Sequence, residues 1–189
     1  NFKECLKNEN PLNMYAYSKF LFDQFVRKNL MKSNAQVVGL RYFNVYGPNE
    51  QHKNKMASTV FHFNNQIKIN NKAKLFKGND IYANGEQTRD FVYVKDCAKI
   101  NIWFLNNPQF SGIYNVGTGK SESFNSVANF IIQWHKKGEI SYVDFPENLT
   151  EVYQSYTKAN LSSLQSINCP LKFTNLQEGI NDYLDFLNN

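Results

Sequence analysis

An α/β or α+β fold with a partly parallel sheet is predicted for this chain, and three observations predict it. Short apolar runs such as Val37-Val38-Gly39-Leu40 and Gly112-Ile113-Tyr114-Asn115-Val116 alternate with segments whose apolar residues recur at helical spacing. A helix followed by a buried strand is one arm of a βαβ layer, which sets neighbouring strands parallel. No period of 20 to 50 residues recurs, which excludes a repeat architecture.

The elements follow in order. Residues 13 to 31, opening after Pro11, carry Tyr17, Phe20, Leu21, Phe25 and Leu30 at helical spacing. Gln36 to Tyr42 reads as a short strand leading to a turn at Gly47-Pro48, and Met56 to Asn70 as a second helix. Leu75-Phe76 is a brief strand, Asn79 to Thr88 a polar loop, and Asp90 to Val94 an alternating strand. Lys95 to Asn107 is predicted helical, with Ala98, Ile102 and Leu105 in the core. After Pro108, the strand at 112 to 116 and the tight turn Gly117-Thr118-Gly119 precede a helix from Phe124 to His135. Phe124, Val127, Ile131 and Trp134 form its apolar side. Ile140 to Phe145 is the last strand and Leu176 to Leu187 a closing helix.

Composition narrows the function classes. A hydrophobic fraction of 42% with 15% aromatics belongs to a globular chain. The formal charge of +5 is dispersed over Lys53/Lys55, Lys72/Lys74/Lys77 and Lys136/Lys137, so no concentrated stripe argues for nucleic acid. Cys5, Cys97 and Cys169 are far apart and odd in number, which reads as reduced thiols. His52, His62 and His135 lack metal-ligand spacing, so no metal is expected. No apolar run approaches the ~20 residues of a membrane span and residues 1 to 5 have no signal-like apolar core, so a cytoplasmic protein is expected.

Two motifs bear on chemistry. Tyr15 and Lys19 lie four apart in Tyr15-Ala16-Tyr17-Ser18-Lys19, one helical turn from each other on one face. An ammonium beside a phenol favours the phenolate and equips it to move protons; a half-buried tyrosine beside a surface lysine is the plainer alternative. Gly117-Thr118-Gly119-Lys120-Ser121 sits between a strand and a helix, where a phosphate loop would. The full pattern, however, needs a glycine where this chain has Tyr114. A tight strand-to-helix turn explains it better.

Taken together, Tyr15-x-x-x-Lys19, Arg41-Tyr42-Phe43-Asn44-Val45-Tyr46-Gly47-Pro48, Arg89-Asp90-Phe91-Val92-Tyr93-Val94-x-Asp96 and Asn115-Val116-Gly117-Thr118-Gly119 resemble the extended short-chain dehydrogenase/reductase superfamily. Pro11 to Tyr15, Glu50-x-His52-Lys53-x-x-Met56-Ala57-Ser58, Phe61-His62 and Gly138 to Phe145 are similar, within it, to the ADP-L-glycero-D-manno-heptose 6-epimerase family. The implied fold is the C-terminal part of a Rossmann-type doubly wound sheet interleaved with a smaller α+β substrate domain. Residues 1–42 and 93–120 are expected in the dinucleotide-binding lobe, and 43–92 with 121–189 in the substrate lobe. Only 14 residues precede Tyr15, without the glycine-rich loop on which this superfamily holds pyrophosphate, so a longer enzyme is expected to extend upstream.

The resemblance implies epimerisation at C6″ of an ADP-heptose by transient oxidation and re-reduction, as a step toward lipopolysaccharide heptose. The implied cofactor is NADP, with NAD the alternative. Tyr15 and Lys53 match the two acid/base groups; Lys19, Val45 and Lys53 match cofactor positions. Asn44, Lys55, His62, Phe76, Lys77, Gly78, Asn79, Arg89 and Tyr153 match substrate positions. Arg89 is the natural diphosphate partner because its fork is bidentate, with an ordinary ion pair to Asp90 or Glu86 as the alternative. Lys55 stands where a serine is usual, Lys77 and Asn79 replace an acidic residue and a serine, and the 80–88 loop is extended. Relatives are homo-oligomers, and a pentamer is implied.

Two other functions stay open at the level of sequence. A 4-epimerase or dehydratase of the same superfamily would use Tyr15 and Lys19 without Lys53. A catalytically silent binding or assembly module is the other alternative, and an upstream strand followed by Gly-x-x-Gly-x-x-Gly would argue against it. Residues 1–189 alone are expected to be inactive and to bind NADP weakly. Isothermal titration should give no micromolar affinity, and micromolar binding would contradict the expectation.

Overall fold

A computed structural model describes residues 2–5, 9–11, 13–78, 81–146, 153–170 and 172–189. The helices are α1 (Met14–Leu30), α2 (Thr59–Asn70), α3 (Val94–Leu105), α4 (Phe124–His135), α5 (Ser162–Ser166) and α6 (Leu176–Asn188). The strands are β1 (Val38–Tyr42), β2 (Asn44–Tyr46), β3 (Lys72–Phe76), β4 (Thr88–Arg89), β5 (Phe91–Tyr93), β6 (Gly112–Val116), β7 (Glu122–Ser123) and β8 (Glu139–Val143). A 3₁₀ segment spans Gln51–Met56.

Side-chain caps fix where the main helices begin. Asn13 accepts from Ala16 N at 2.9 Å, Ser58 from Phe61 N at 3.3 Å, Ser123 from Ser126 N at 3.1 Å and Asn175 from Glu178 N at 2.9 Å. α2 and α4 end on Asn71 and Lys136 in the left-handed region.

Three strand pairs are parallel: β1 with β6, β2 with β5, and β3 with β8; β4 and β7 pair antiparallel. The run from β1 into β2 changes partner at Phe43. Phe43 N still donates to Val116 O at 2.9 Å, whereas Asn44 N donates to Asp90 O at 3.0 Å. In open parallel sheets such a switch opens a crevice at the carboxyl ends of the strands, and Asn44 stands at it.

Two apolar clusters form. Val60, Phe63 and Ile67 of α2, Val127 and Ile131 of α4, and Ile180, Tyr183 and Leu184 of α6 build one around β3 and β5. Val92, Ile100, Phe104, Tyr114 and Val116 build the other. Residues 161–173, expected in the substrate lobe, contribute Leu161, Leu164, Ile167 and Phe173 to this second cluster. Burial pushes the Cys97 thiol up to about 12, and Cys5, Cys97 and Cys169 form no disulfide.

Two helices turn differently from expectation. In α3, Cys97, Ile100 and Phe104 are buried, whereas Ala98, Ile102 and Leu105 face solvent. Apolar residues occupy both sides of this helix, and the side facing inward is set by its start directly at the end of β5. In α1 only Val26 is buried, and Tyr17, Leu21 and Phe25 are exposed. This helix docks on β1 through charge: Arg27 forks onto Glu9, and Arg41 of β1 reaches both Glu9 and Asp23, the latter at 2.6 Å. Hydrogen bonding from Arg27, joined by Arg41 and opposed by burial, holds the Glu9 carboxyl down from an ordinary 4.5 to about 2.

Truncating Ile131, which is fully buried, to alanine should cost about 2 to 5 kcal/mol. Phe25→Ala on the exposed side should cost within about 0.5 kcal/mol. Urea unfolding with unchanged m-values would check both. Because the Glu9 pKa is depressed in the folded state, its stabilisation is complete above the ordinary carboxyl value and is lost as pH falls toward the folded one. Glu9→Gln should therefore lose less Tm than the parent between about pH 5.5 and pH 3.

Candidate active site

Tyr15 and Lys19 stand on the first turns of α1, as the i, i+4 spacing requires. The Lys19 ammonium lies 5.2 Å from the centre of the Tyr15 ring, over its face, and Ser18 Oγ donates to the Tyr15 carbonyl at 2.8 Å. The Tyr15 side of this pair is open, at 73% exposure. Both residues line a cavity of about 500 Å³ with Gly39, Leu40, Arg41 and Tyr42, at the carboxyl end of β1. A second cavity of about 400 Å³ places Tyr15 with Phe43, Asn44, Asn115 and Thr157.

Asn44 belongs also to a third cavity, of about 320 Å³, together with Phe76, Gln87, Arg89, Phe124 and Tyr153. Four residues separated by up to 109 positions in sequence, Asn44, Phe76, Arg89 and Tyr153, are thus gathered on one hollow, as expected of a substrate site. Asn44 connects that hollow to the one holding Tyr15.

Arg89 is the most informative group in it. The side chain is 8% exposed, yet among the described residues it has no carboxylate partner. Asp90 is committed elsewhere, accepting from Thr118 N, Gly119 N and Ala159 N, and Glu86 accepts from Asn125. Arg89 instead donates to the Thr88 carbonyl at 2.9 Å and lies between two rings, 4.9 Å from Tyr153 and 5.7 Å from Phe124. Burial lowers its pKa, and the neighbouring Tyr153 partly offsets this; an arginine stays charged regardless. A buried cation stacked on aromatics with its fork unclaimed by carboxylate is a ready anion site.

The remaining expected residues sit apart. Lys53 and Lys55 are exposed on the 3₁₀ segment, which Glu50 anchors by accepting from Ser58 N and Oγ, each at 2.6 Å, and from Tyr183 Oη at 2.9 Å. His62 is half-buried, edge-on to Phe61, and Val45 packs against the second apolar cluster. Lys77 pairs with Asp144 at 2.7 Å. Gly78 must be glycine: a Cβ there would lie 2.0 Å from the Tyr82 carbonyl. None of these six lines the three cavities, and Asn79 lies outside the described residues. Gln87, Phe124, Thr59 and Phe63, which do line the third cavity, carry no motif that sequence reasoning could have caught. The charge network of Glu9, Asp23, Arg27 and Arg41 was equally hidden, because its members come from three separate segments.

The first cavity fits the ribose end of a nicotinamide dinucleotide, since the Lys19 ammonium has no carboxylate partner among the described residues and faces the hollow with Tyr15. The turn at Gly117-Thr118-Gly119 does not fit a phosphate, because its amides are spent on Asp90: Thr118 N at 2.7 Å and Gly119 N at 2.9 Å.

The chain is similar to known proteins over nearly its whole length. The chain is 52% identical over 184 residues to an ADP-L-glycero-D-manno-heptose-6-epimerase of Alkalilimnicola ehrlichii, covering 97% of this chain and 58% of the relative. The Helicobacter pylori ADP-L-glycero-D-manno-heptose-6-epimerase structure superposes with a TM-score of 0.81 at 34% identity, covering 98% of this chain and 54% of that one. The Thermus thermophilus UDP-glucose 4-epimerase in complex with NAD superposes at 0.76 and 26% identity, over 93% and 54%. The chain thus spans little more than half the length of these relatives, and its fold is Rossmann-type. The NAD dependent epimerase/dehydratase family model matches residues 2–117, and the chain belongs to that family.

Proposed function

We propose that this chain carries the catalytic tyrosine and the substrate side of an NADP-dependent ADP-L-glycero-D-manno-heptose 6-epimerase, a cytoplasmic homo-oligomer that supplies heptose for lipopolysaccharide. One observation supports it above the others. Arg89, a buried arginine with no carboxylate partner among the described residues, lies in a hollow that Asn44 joins to the hollow of Tyr15. A diphosphate at the first and a reacting sugar carbon at the second is the arrangement a nucleotide sugar requires. The 52% identity to a heptose 6-epimerase favours that sugar over others.

Bound nicotinamide would supply acceptance and return of a hydride at C6″. Lys19 would hold the ribose. Tyr15 takes the C6″ hydroxyl proton on one face of the sugar, and Lys53 serves the opposite face once the resulting ketone has turned. Asn44 and Arg89 keep the sugar and diphosphate in place through that turn.

A second mechanism follows from one feature: Lys53 lines none of the three cavities. If it also stays away from the bound sugar, Tyr15 alone moves the proton, as expected of a 4-epimerase or dehydratase. Single variants in the full-length enzyme decide between them. Tyr15→Phe and Lys53→Met should each lower epimerisation by about 10²- to 10⁴-fold without changing the fold, and their losses should not multiply if both serve one cycle. A Lys53→Met enzyme that epimerises at the parent rate would favour the one-base mechanism.

A further inference from the structure

The 3₁₀ segment that carries Lys53 has no apolar hold on the protein. Every residue of Gln51–Met56 is exposed. Its backbone also leaves the helical region at Asn54, with φ 49° and ψ −120°. A backbone of that kind keeps one shape only where the surroundings fix it. Lys53 lines none of the three cavities, so its reach to a bound sugar depends on where this segment stands.

Glu50 fixes both ends of the segment at once. Its side chain lies in a residue only 4% exposed. Oε2 accepts from Ser58 N and Oε1 from Ser58 Oγ, each at 2.6 Å, which ties the residue before the segment to one just beyond it. The Glu50 carbonyl accepts from Lys53 N at 3.0 Å. A further donor comes from the closing helix: Tyr183 Oη of α6 reaches Glu50 Oε1 at 2.9 Å. Tyr183 is fully buried, and burial first, then the nearby Glu50 charge, raises its pKa, so this hydroxyl stays a donor.

Stability alone does not call for this arrangement. Among the described residues no lysine, arginine or histidine forms an ion pair with Glu50. A buried carboxylate held by neutral donors is costly in solvation, and an apolar side chain of similar size would fill the place with less penalty. What the carboxylate adds is direction, since donors from the start of α2 and from α6 hold it in one orientation.

We propose that Glu50, with Tyr183 behind it, is a positioning residue that sets the place of Lys53 for proton transfer on the second face of the sugar. This inference rests on the two-base mechanism proposed above and adds the groups that hold its second base.

The test measures epimerisation of ADP-heptose by the full-length, cofactor-loaded enzyme. Tyr183→Phe removes one hydroxyl and keeps the ring in the core; kcat should fall about tenfold, with KM within about threefold of the parent. Glu50→Gln keeps the shape without the charge and should lower kcat by about 10²-fold. A loss of stability also lowers activity, so both substitutions are repeated in a Lys53→Met enzyme. With no base left to place, Tyr183→Phe should then change kcat by less than about twofold, whereas a merely structural loss would recur at full size. If Glu50→Gln does not fold, the Tyr183→Phe comparison remains decisive. A folded Tyr183→Phe with the parent kcat, or with the same loss in both backgrounds, overturns the positioning role and leaves Lys53 as second base. A Lys53→Met enzyme that epimerises at the parent rate overturns the role and the two-base mechanism together.

Discussion

The buried carboxylate of Asp90 is the interaction on which the site depends. Fully enclosed, it accepts from Thr118 N and Oγ1, each at 2.7 Å, and from Gly119 N and Ala159 N, each at 2.9 Å. Its own amide donates to Thr157 Oγ1 at 3.0 Å, and its carbonyl accepts from Asn44 N. A carboxylate without a counter-cation is tolerable inside a protein only when several donors replace its water. Here those donors come from the end of β6 and from the 157–159 segment. The result is that Asn44, Arg89 and the chain leading from Tyr153 are tied to a single point, and none can shift without exposing the charge of Asp90 to an incomplete shell.

That constraint explains what was legible in the sequence and what was not. Elements with strong periodicity were readable: the strands at 38–42 and 112–116, the helix from Phe124 and the closing helix from Leu176 all lie where their patterns put them. Asn44 and Arg89 could be named because they stand in motifs, and Phe76 and Tyr153 because they match substrate positions of the family that the chain resembles; the fold brings the four together. Which side of a helix faces inward was not readable where apolar residues occupy both sides, as with Ile100 against Ile102 in α3. Gln87 and Phe124 were invisible because their use is set by where a cavity falls, which is a property of packing between segments and not of spacing within one.

α1 makes the opposite case to the core helices. Its hold on β1 is a network of two arginines and two carboxylates, with the Glu9 side chain 6% and the Asp23 side chain 13% exposed. Ion pairs this enclosed are costly to assemble and costly to break singly, since removing one member strands the rest. They fix orientation more sharply than a greasy contact would, and orientation matters here because Tyr15 and Lys19 ride on the same helix. The apolar residues left on its surface, Leu21, Phe22 and Phe25 among them, are therefore not what positions Tyr15 and Lys19.

The arrangement at Arg89 follows the same logic with the sign reversed. Burying a guanidinium without a carboxylate costs solvation, which the Thr88 carbonyl and the faces of Tyr153 and Phe124 return only in part. Had evolution needed stability alone, an aspartate beside Arg89 would recover the rest, yet the neighbouring carboxylate of Asp90 is turned to the loop at 117–119 instead. A buried cation from which the protein's own anion is withheld has that energy available to an anion arriving from solution. Arg89 is 8% exposed, so an anion that met it there would be attracted in surroundings of lower permittivity than bulk water.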